Sequence, residues 1–253
     1  LRGLLSESCE PIADICAFVD RAQTTLNNVQ SYGRDTPTMK ESLRKVMASH
    51  ERAKEGNIPT LHSTGFTDID EQLTGGFPPM LCVVAGRPGS GKTALVCNMA
   101  RRAAIKGQGS LFICLEQTEA EITRRHISAQ GKVPAAYILN PLLFLRQRVE
   151  KGNRDRISDE LTRRMLTGSI ELSGLPLYTE TQPLDMYGIG SAMRRKMRED
   201  PRVKVLFVDH LELITPHDPK QDKRHRLGDI TGYLAQFAKN NKITVVLISQ
   251  LNR

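Results

Sequence analysis

The sequence predicts an α/β fold in which a mostly parallel β-sheet carries helices on both faces. Four short and almost wholly apolar runs alternate with helical stretches, as strands buried on both sides do: Leu81–Ala85, Leu111–Leu115, Val203–Val208 and Ile243–Ile248. A glycine-rich loop follows the first run and leads into a helix, as phosphate-binding loops do. The 253 residues suffice for one such domain and an appendage.

The amino-terminal part predicts helices that precede this domain. Residues 9–30 have helical spacing, and a break follows at residues 31–35. Thr38 and Glu41 then form the capping box of a second helix, which ends near Gly56. Its apolar side chains share one face: Met39, Leu43, Val46 and Met47. Because that face has no partner in its own segment, it must dock on the adjacent domain or on a neighbouring subunit. We therefore divide the chain into a helical segment with a linker helix, residues 1–57, and a core, residues 58–253.

The glycine-rich loop matches the phosphate-loop pattern G-x-x-x-x-G-K-[ST] in full. Its residues are Gly86, Arg87, Pro88, Gly89, Ser90, Gly91, Lys92 and Thr93. The glycines allow backbone N–H groups to surround phosphates, and the following helix adds its positive end. We expect Lys92 to reach the β- and γ-phosphates and the Thr93 hydroxyl to ligate Mg²⁺. The loop predicts binding and hydrolysis of a nucleoside triphosphate, with ATP and Mg²⁺ as the ligands.

Polar residues end three of the apolar runs, at the edge where parallel sheets bind ligands. Asp209 ends the third run and is the expected second Mg²⁺ partner, although an Asp there could instead cap the next turn. Glu116 follows the second run and could activate the attacking water, or it could be a solvated loop residue. Gln250 follows the fourth run. Its polar side chain could sense the γ-phosphate, but from its chemistry alone it could equally have no functional role.

Charge and composition bear on the partners. The formal net charge is +8, and residues 1–57 carry equal numbers of basic and acidic groups, so the excess lies in the core. A positively charged domain is suited to binding a polyanion such as nucleic acid. The segment Thr215–Arg226 could contact a DNA backbone through four basic residues, or it could be a solvated loop: Lys220, Lys223, Arg224 and Arg226.

Other classes are excluded by composition. No apolar run approaches the roughly 20 residues that span a bilayer, and no signal peptide is visible. The five cysteines form no C-x-x-C pair, which argues against a zinc site. We expect reduced thiols, a cytoplasmic location and no membrane partner.

With these residues placed, the chain resembles the DnaB-type replicative helicases over about residues 60–253. The phosphate loop is similar to the family's A-R-P-S-M-G-K-T, and Leu115-Glu116 occupies the place of the catalytic S-L-E-M motif. The run beginning at Val208, V-D-H-L-E-L, resembles I-D-Y-L-Q-L, and Ser249–Arg253 matches S-Q-L-N-R. T-G-F-T-D-I-D from Thr64 and L-T-G-G-F from Leu73 also precede the loop as they do in that family.

The resemblance implies a RecA-like fold, a hexameric ring and ATP-driven 5′→3′ movement on single-stranded DNA. It implies that the linker helix packs on the neighbouring subunit, that Gln250 senses the γ-phosphate, and that a primase and a helicase loader are partners. It places the main DNA-binding loop and the arginine finger beyond Arg253, so the core is expected to lack its C-terminal part. His210 and Glu212 depart from the family, which has Tyr and Gln there.

Two other functions compete with the helicase. A RecA-type recombinase would bind DNA as a filament, but the linker helix and S-Q-L-N-R argue against it. A helicase-loader-type switch would use ATP only to change partners. Because a switch need not hydrolyse ATP quickly, its activity would barely depend on Glu116.

Overall fold

A computed structural model describes residues 22, 36–57, 61–215 and 222–251. Apart from residue 22, the predicted helix over residues 9–30 lies outside these ranges, as do residues 216–221 of the basic segment 215–226. The elements are α1 Met39–Lys54, α2 Thr67–Gln72, β1 Leu81–Gly86, α3 Lys92–Ile105, β2 Gly109–Cys114, α4 Glu119–Gly131, α5 Ala135–Leu139, α6 Pro141–Arg148, α7 Arg154–Ser173, β3 Leu177–Glu180, α8 Met186–Glu199, β4 Val203–Asp209, α9 Lys223–Asn241 and β5 Thr244–Gln250. Single 3₁₀ turns precede α7, at Lys151–Asn153, and follow β4, at Leu211–Leu213.

The five strands form one parallel sheet in the order β1-β5-β4-β2-β3. The four predicted strands are confirmed. The fifth, β3, was missed because its sequence, L-Y-T-E, is not an apolar run. This strand pairs only with β2 and is half-buried throughout, so its side chains need not be apolar.

Helices cover both faces of the sheet, as the apolar runs predicted. Successive residues of a strand point to opposite faces, and β4 shows this clearly. Leu206 and Val208 pack with α8 and α9, whereas Val205 and Phe207 pack with α3 and α4. Both faces of the central strands are therefore core, which explains why their sequences show no polar alternation.

A helical insertion, Glu119–Ser173, lies between β2 and β3 and has a small core of its own. Val133, Tyr137, Leu145 and Leu161 are buried in it. Helices α4 and α7 approach closely at two glycines, since a Cβ atom on Gly168 would lie 2.7 Å from the Gly131 nitrogen. The insertion is thus a packed unit that continues directly from the carboxyl end of β2.

Helix α1 coincides with the helix predicted after Thr38 and has the predicted capping box. The Thr38 hydroxyl accepts from the Glu41 N–H at 3.3 Å, and the Glu41 carboxylate accepts from the Thr38 N–H at 2.8 Å. The helix buries none of its residues, and its apolar stripe of Met39, Leu43, Val46 and Met47 is 55–74% exposed. Across the described part of the chain, no helix combines the length and apolarity that crossing a membrane requires.

Candidate nucleotide site

The phosphate loop joins β1 to α3 at the carboxyl edge of the sheet. Gly89 and Gly91 have φ angles of 74° and 89°, in the left-handed region that favours glycine. Gly86 is required for a different reason, because a Cβ atom there would lie 2.8 Å from the Ser90 hydroxyl oxygen. The loop from Arg87 to Gly91 is exposed, so a ligand can reach it.

Lys92 begins helix α3 and folds back over the loop. Its Nζ donates to the carbonyl oxygens of Gly86 at 2.8 Å and of Arg87 at 2.9 Å. These contacts hold the ammonium group next to the loop rather than in solvent. A positive charge and the amino end of a helix therefore meet at one place, which is the arrangement that binds phosphate.

Thr93 and Asp209 bring a hydroxyl and a carboxylate together from two elements. The Thr93 Oγ1 donates to Asp209 Oδ2 at 2.6 Å, and Asp209 is buried. Burial raises the pKa of Asp209 above its usual value, and the Thr93 hydrogen bond and the charges of His210 and Lys92 only partly oppose that rise. Hard oxygen ligands of this kind suit Mg²⁺, so the residues fit the predicted ion.

Glu116 follows β2 and reaches the same edge. Its side chain is 48% exposed, and its Oε2 lies 3.4 Å from His210 Nδ1. Glu116, Asp209 and His210 each place one potential ligand atom within 4.8 Å of the others. Sequence reasoning did not assign His210 to the site. Its position directly after the strand-ending Asp209 was the signal that could have identified it.

Gln250 ends β5, the strand next to β1. It stands in register with Gly86, and the N–H of Leu251 donates to the Gly86 carbonyl at 3.1 Å. The backbone N–H of Gln250 and the Ser249 hydroxyl both donate to Glu212 Oε1, at 3.1 and 2.8 Å. The structure therefore brings the phosphate loop, Glu116, Asp209 and Gln250 to one edge, and it adds Glu212, which sequence reasoning did not assign.

Comparison with known proteins gives a consistent picture. Residues 62–253 match the family described as DnaB-like helicase C terminal domain. The chain is 29% identical over 234 residues to "Replicative DNA helicase DnaB" of Leifsonia xyli subsp. xyli, covering 91% of this chain and 47% of that relative. It is 26% identical over 250 residues to the "Replicative DNA helicase DnaB" of Rickettsia bellii, and the match covers 93% of this chain and 47% of that relative. The chain thus spans about half the length of these curated relatives.

Solved structures share the fold. One that is described as an ATPase domain superposes with a TM-score of 0.71 at 22% identity, covering 87% of this chain and 73% of that one. "The Structure Of A DnaB-Like Replicative Helicase And Its Interactions With Primase" superposes with a TM-score of 0.73 at 21% identity, covering 100% and 56%. The predicted RecA-like fold is confirmed by these similarities.

Proposed function

We propose a function from one premise, that the chain belongs to the DnaB-like helicase C terminal domain family. We infer that it is the ATP-hydrolysing motor of a replicative DNA helicase, which moves along single-stranded DNA as a hexameric ring. The observation that carries this proposal is the convergence of Lys92, Thr93, Asp209 and Glu116 at the edge of the sheet.

ATP would bind with its phosphates on the loop. The carbonyl oxygens of Gly86 and Arg87 now accept the Lys92 hydrogen bonds, and the β- and γ-phosphate oxygens would replace them as acceptors. Thr93 and Asp209 would hold Mg²⁺, and a bound Mg²⁺ ion would neutralise charge that develops on the phosphates. Because Asp209 is buried, its carboxylate would stay fixed while the substrate changes.

Hydrolysis would need a base and a sensor. Glu116 stands at the mouth of the site with an exposed carboxylate, where it can accept a proton from an attacking water. Gln250 is in register with the first residue of the loop and could detect loss of the γ-phosphate. The movement that follows would be transmitted through β5, which pairs with both β1 and β4.

Assembly would use two apolar surfaces that differ from each other. One is the exposed stripe of α1. The other is a groove of roughly 550 Å³ on α5 and α6, lined by Pro134, Ala135, Ala136, Leu139, Asn140, Leu143, Phe144, Gln147 and Arg148. We infer that α1 of one copy docks in this groove of the next. Such head-to-tail contacts between unlike surfaces generate rings when the rotation closes.

The proposal also names the other partners. Single-stranded DNA would contact the basic segment 215–226, mainly through its phosphates. One similar structure is of a DnaB-like replicative helicase and its interactions with primase. We propose a primase and a helicase loader as partners of this chain on the strength of its family.

ATP turnover with and without single-stranded DNA tests the proposal, beside a Lys92→Ala variant and a Lys106→Ala control. Lys106 follows the far end of α3 and is half-exposed. We expect DNA to stimulate turnover, Lys92→Ala to abolish it and Lys106→Ala to leave it unchanged. Slow turnover that ignores DNA and Glu116 would favour the switch, whereas DNA-dependent filaments seen by electron microscopy would favour the recombinase. Normal turnover by Lys92→Ala would refute the proposal.

A further inference from the structure

His210 lies among three carboxylates at the edge of the sheet, and its Nδ1 is 3.8 Å from Asp209 Oδ1. Its Nδ1 is 3.4 Å from Glu116 Oε2, and its Nε2 is 3.9 Å from Glu212 Oε2. The imidazole is only 6% exposed. Within the described ranges, His210 Nδ1 and Glu212 Oε2 are buried polar atoms without a hydrogen-bond partner. Buried polar groups that lack partners are costly, so this geometry calls for a functional explanation.

Glu212 is anchored from the other side by strand β5. Its Oε1 accepts from the Ser249 hydroxyl at 2.8 Å and from the backbone N–H of Gln250 at 3.1 Å. A carboxylate that accepts two hydrogen bonds on one oxygen has little freedom to turn. Its second oxygen lies 3.9 Å from His210 Nε2, beside the imidazole but beyond hydrogen-bond distance.

Glu116 has the opposite character. It belongs to a loop after β2, and almost half of its side-chain surface is exposed. A general base must nevertheless stand within hydrogen-bonding reach of the water that it activates, and a misplacement of about 1 Å can cost about a hundredfold in rate. His210 is a buried group next to Glu116, and its Nδ1 is close enough to restrain the carboxylate.

We propose that His210 and Glu212 are positioning residues that connect the end of β5 to the catalytic carboxylate. Glu212 is fixed by Ser249 and Gln250 and packs beside the imidazole, which keeps the ring in place, and the Nδ1–H of His210 would donate to Glu116 from 3.4 Å. The strand that carries the γ-phosphate sensor would thereby also set the position of the base. This inference rests on the proposed function, because it assigns the two residues a role in the same hydrolysis.

The test compares steady-state ATP turnover of three variants of the whole chain. In His210→Leu the donor is lost at similar volume, and kcat should fall ten- to a hundredfold. The KM for ATP should stay within about twofold, since the Lys92 and Thr93 contacts are untouched. His210→Asn keeps an N–H close to the position of Nδ1 and should recover most of the activity. Glu212→Ala should show a smaller loss of kcat, because its effect on Glu116 is indirect and passes through His210.

A double-mutant cycle separates positioning from a general effect on folding. If His210 acts through Glu116, His210→Leu should lower kcat no further in a Glu116→Gln background. Equal losses in both backgrounds, or an Asn variant as impaired as the Leu variant, would overturn the inference. Should His210→Leu fail to fold, the Asn and Glu212→Ala variants still decide, because unchanged kcat in Glu212→Ala contradicts the proposed link.

A structural measurement distinguishes this inference from the proposed function. Crystal structures of the wild-type chain and of Glu212→Ala would show whether Glu116 keeps one side-chain conformation. We expect a single conformation in the wild type and several in the variant, whether or not the chain turns over ATP. The same ordered Glu116 in both structures would contradict the inference, whereas ordered positioning without any turnover would contradict only the proposed function.

Discussion

At the carboxyl edge of the sheet, the side chains of the phosphate loop and of Asp209 bond to each other within one chain, whereas several large apolar side chains of helix α1 and of the helical insertion remain exposed. Thr93 bonds to Asp209, and Lys92 bonds back to its own loop. By contrast, the stripe of α1 and the side chains of Leu139 and Leu142 are well exposed. Large exposed apolar patches mark interaction surfaces. One copy therefore holds these polar groups together by itself, while the second region exposes apolar surface that the proposed assembly would cover.

The largest effect that should separate the two regions is the loss of Glu116, the proposed catalytic base. Replacing Glu116 by Gln removes a proton acceptor but not a phosphate or metal contact. Turnover should therefore fall by about a hundredfold or more, and binding of a fluorescent ATP analogue should stay within about threefold. Stopped-flow phosphate release and equilibrium titration measure these two quantities.

Glu119→Gln is the matched control for that variant, because Glu119 is an exposed acid three residues further along, in the first turn of α4. It should behave as the wild type. Equal losses in the two variants would assign the effect to local charge rather than to catalysis.

Substitutions on the helical surfaces should change self-association rather than ATP turnover. Leu139 lines the groove on α5 and α6, whereas Leu142 is similarly exposed, on the same helix pair, but does not line it. We expect Leu139→Asp to weaken self-association by about a hundredfold, or roughly 2.7 kcal/mol, and Leu142→Asp to have little effect. Sedimentation velocity over a range of concentrations gives the comparison.

A mixing experiment tests whether the contact joins unlike surfaces. Val46→Asp disrupts the stripe on α1 but leaves the groove intact, and Leu139→Asp does the reverse. Each variant alone should be monomeric, and an equimolar mixture should form pairs but not rings. Self-association of either variant alone at the wild-type strength would disprove the docking of α1 in the groove.

Sequence reasoning predicted the two regions unequally. The four apolar strands, the phosphate loop and the capping box at Thr38 depend on local pattern, and all are present. The pattern of β3 was not recognised, because a half-buried strand at the sheet edge needs no apolar run. The contacts of His210 and Glu212 could not be found, since they depend on which strand ends become neighbours in the folded sheet.

A smaller effect concerns how firmly the helical insertion packs on the core. His126 of α4 is buried, and burial together with the charge of Arg101 lowers its pKa to about 4. The unfolded chain, with a His pKa near 6.5, binds the proton more readily. This pKa difference costs no stability above pH 6.5. As the pH falls from 6.5 toward 4, it progressively lowers the free energy of unfolding. At pH 5 the loss should be about 2 kcal/mol.

Urea unfolding at pH 7.5 and pH 5 measures this loss, with His126→Leu as the variant that cannot titrate. The difference in unfolding free energy between the two pH values should be about 2 kcal/mol smaller in the variant. An identical pH dependence in both proteins would show that His126 is solvated and that α4 does not pack as described.

The smallest expected effect is also the most direct comparison, because the same capping box occurs in both regions. Thr38 caps α1, which buries none of its residues, and Thr118 caps α4, which packs on the sheet and on α7. Removing a cap costs about 1 kcal/mol of helix stability, but that cost reaches the global unfolding free energy only if the helix unfolds together with the core. Thr118→Ala should therefore lower the unfolding free energy by about 1 kcal/mol in urea titration. Thr38→Ala should leave it unchanged in the monomer and only increase amide exchange along α1. If both variants lowered it equally, α1 would be packed in the monomer, and the contrast between the two regions would fail.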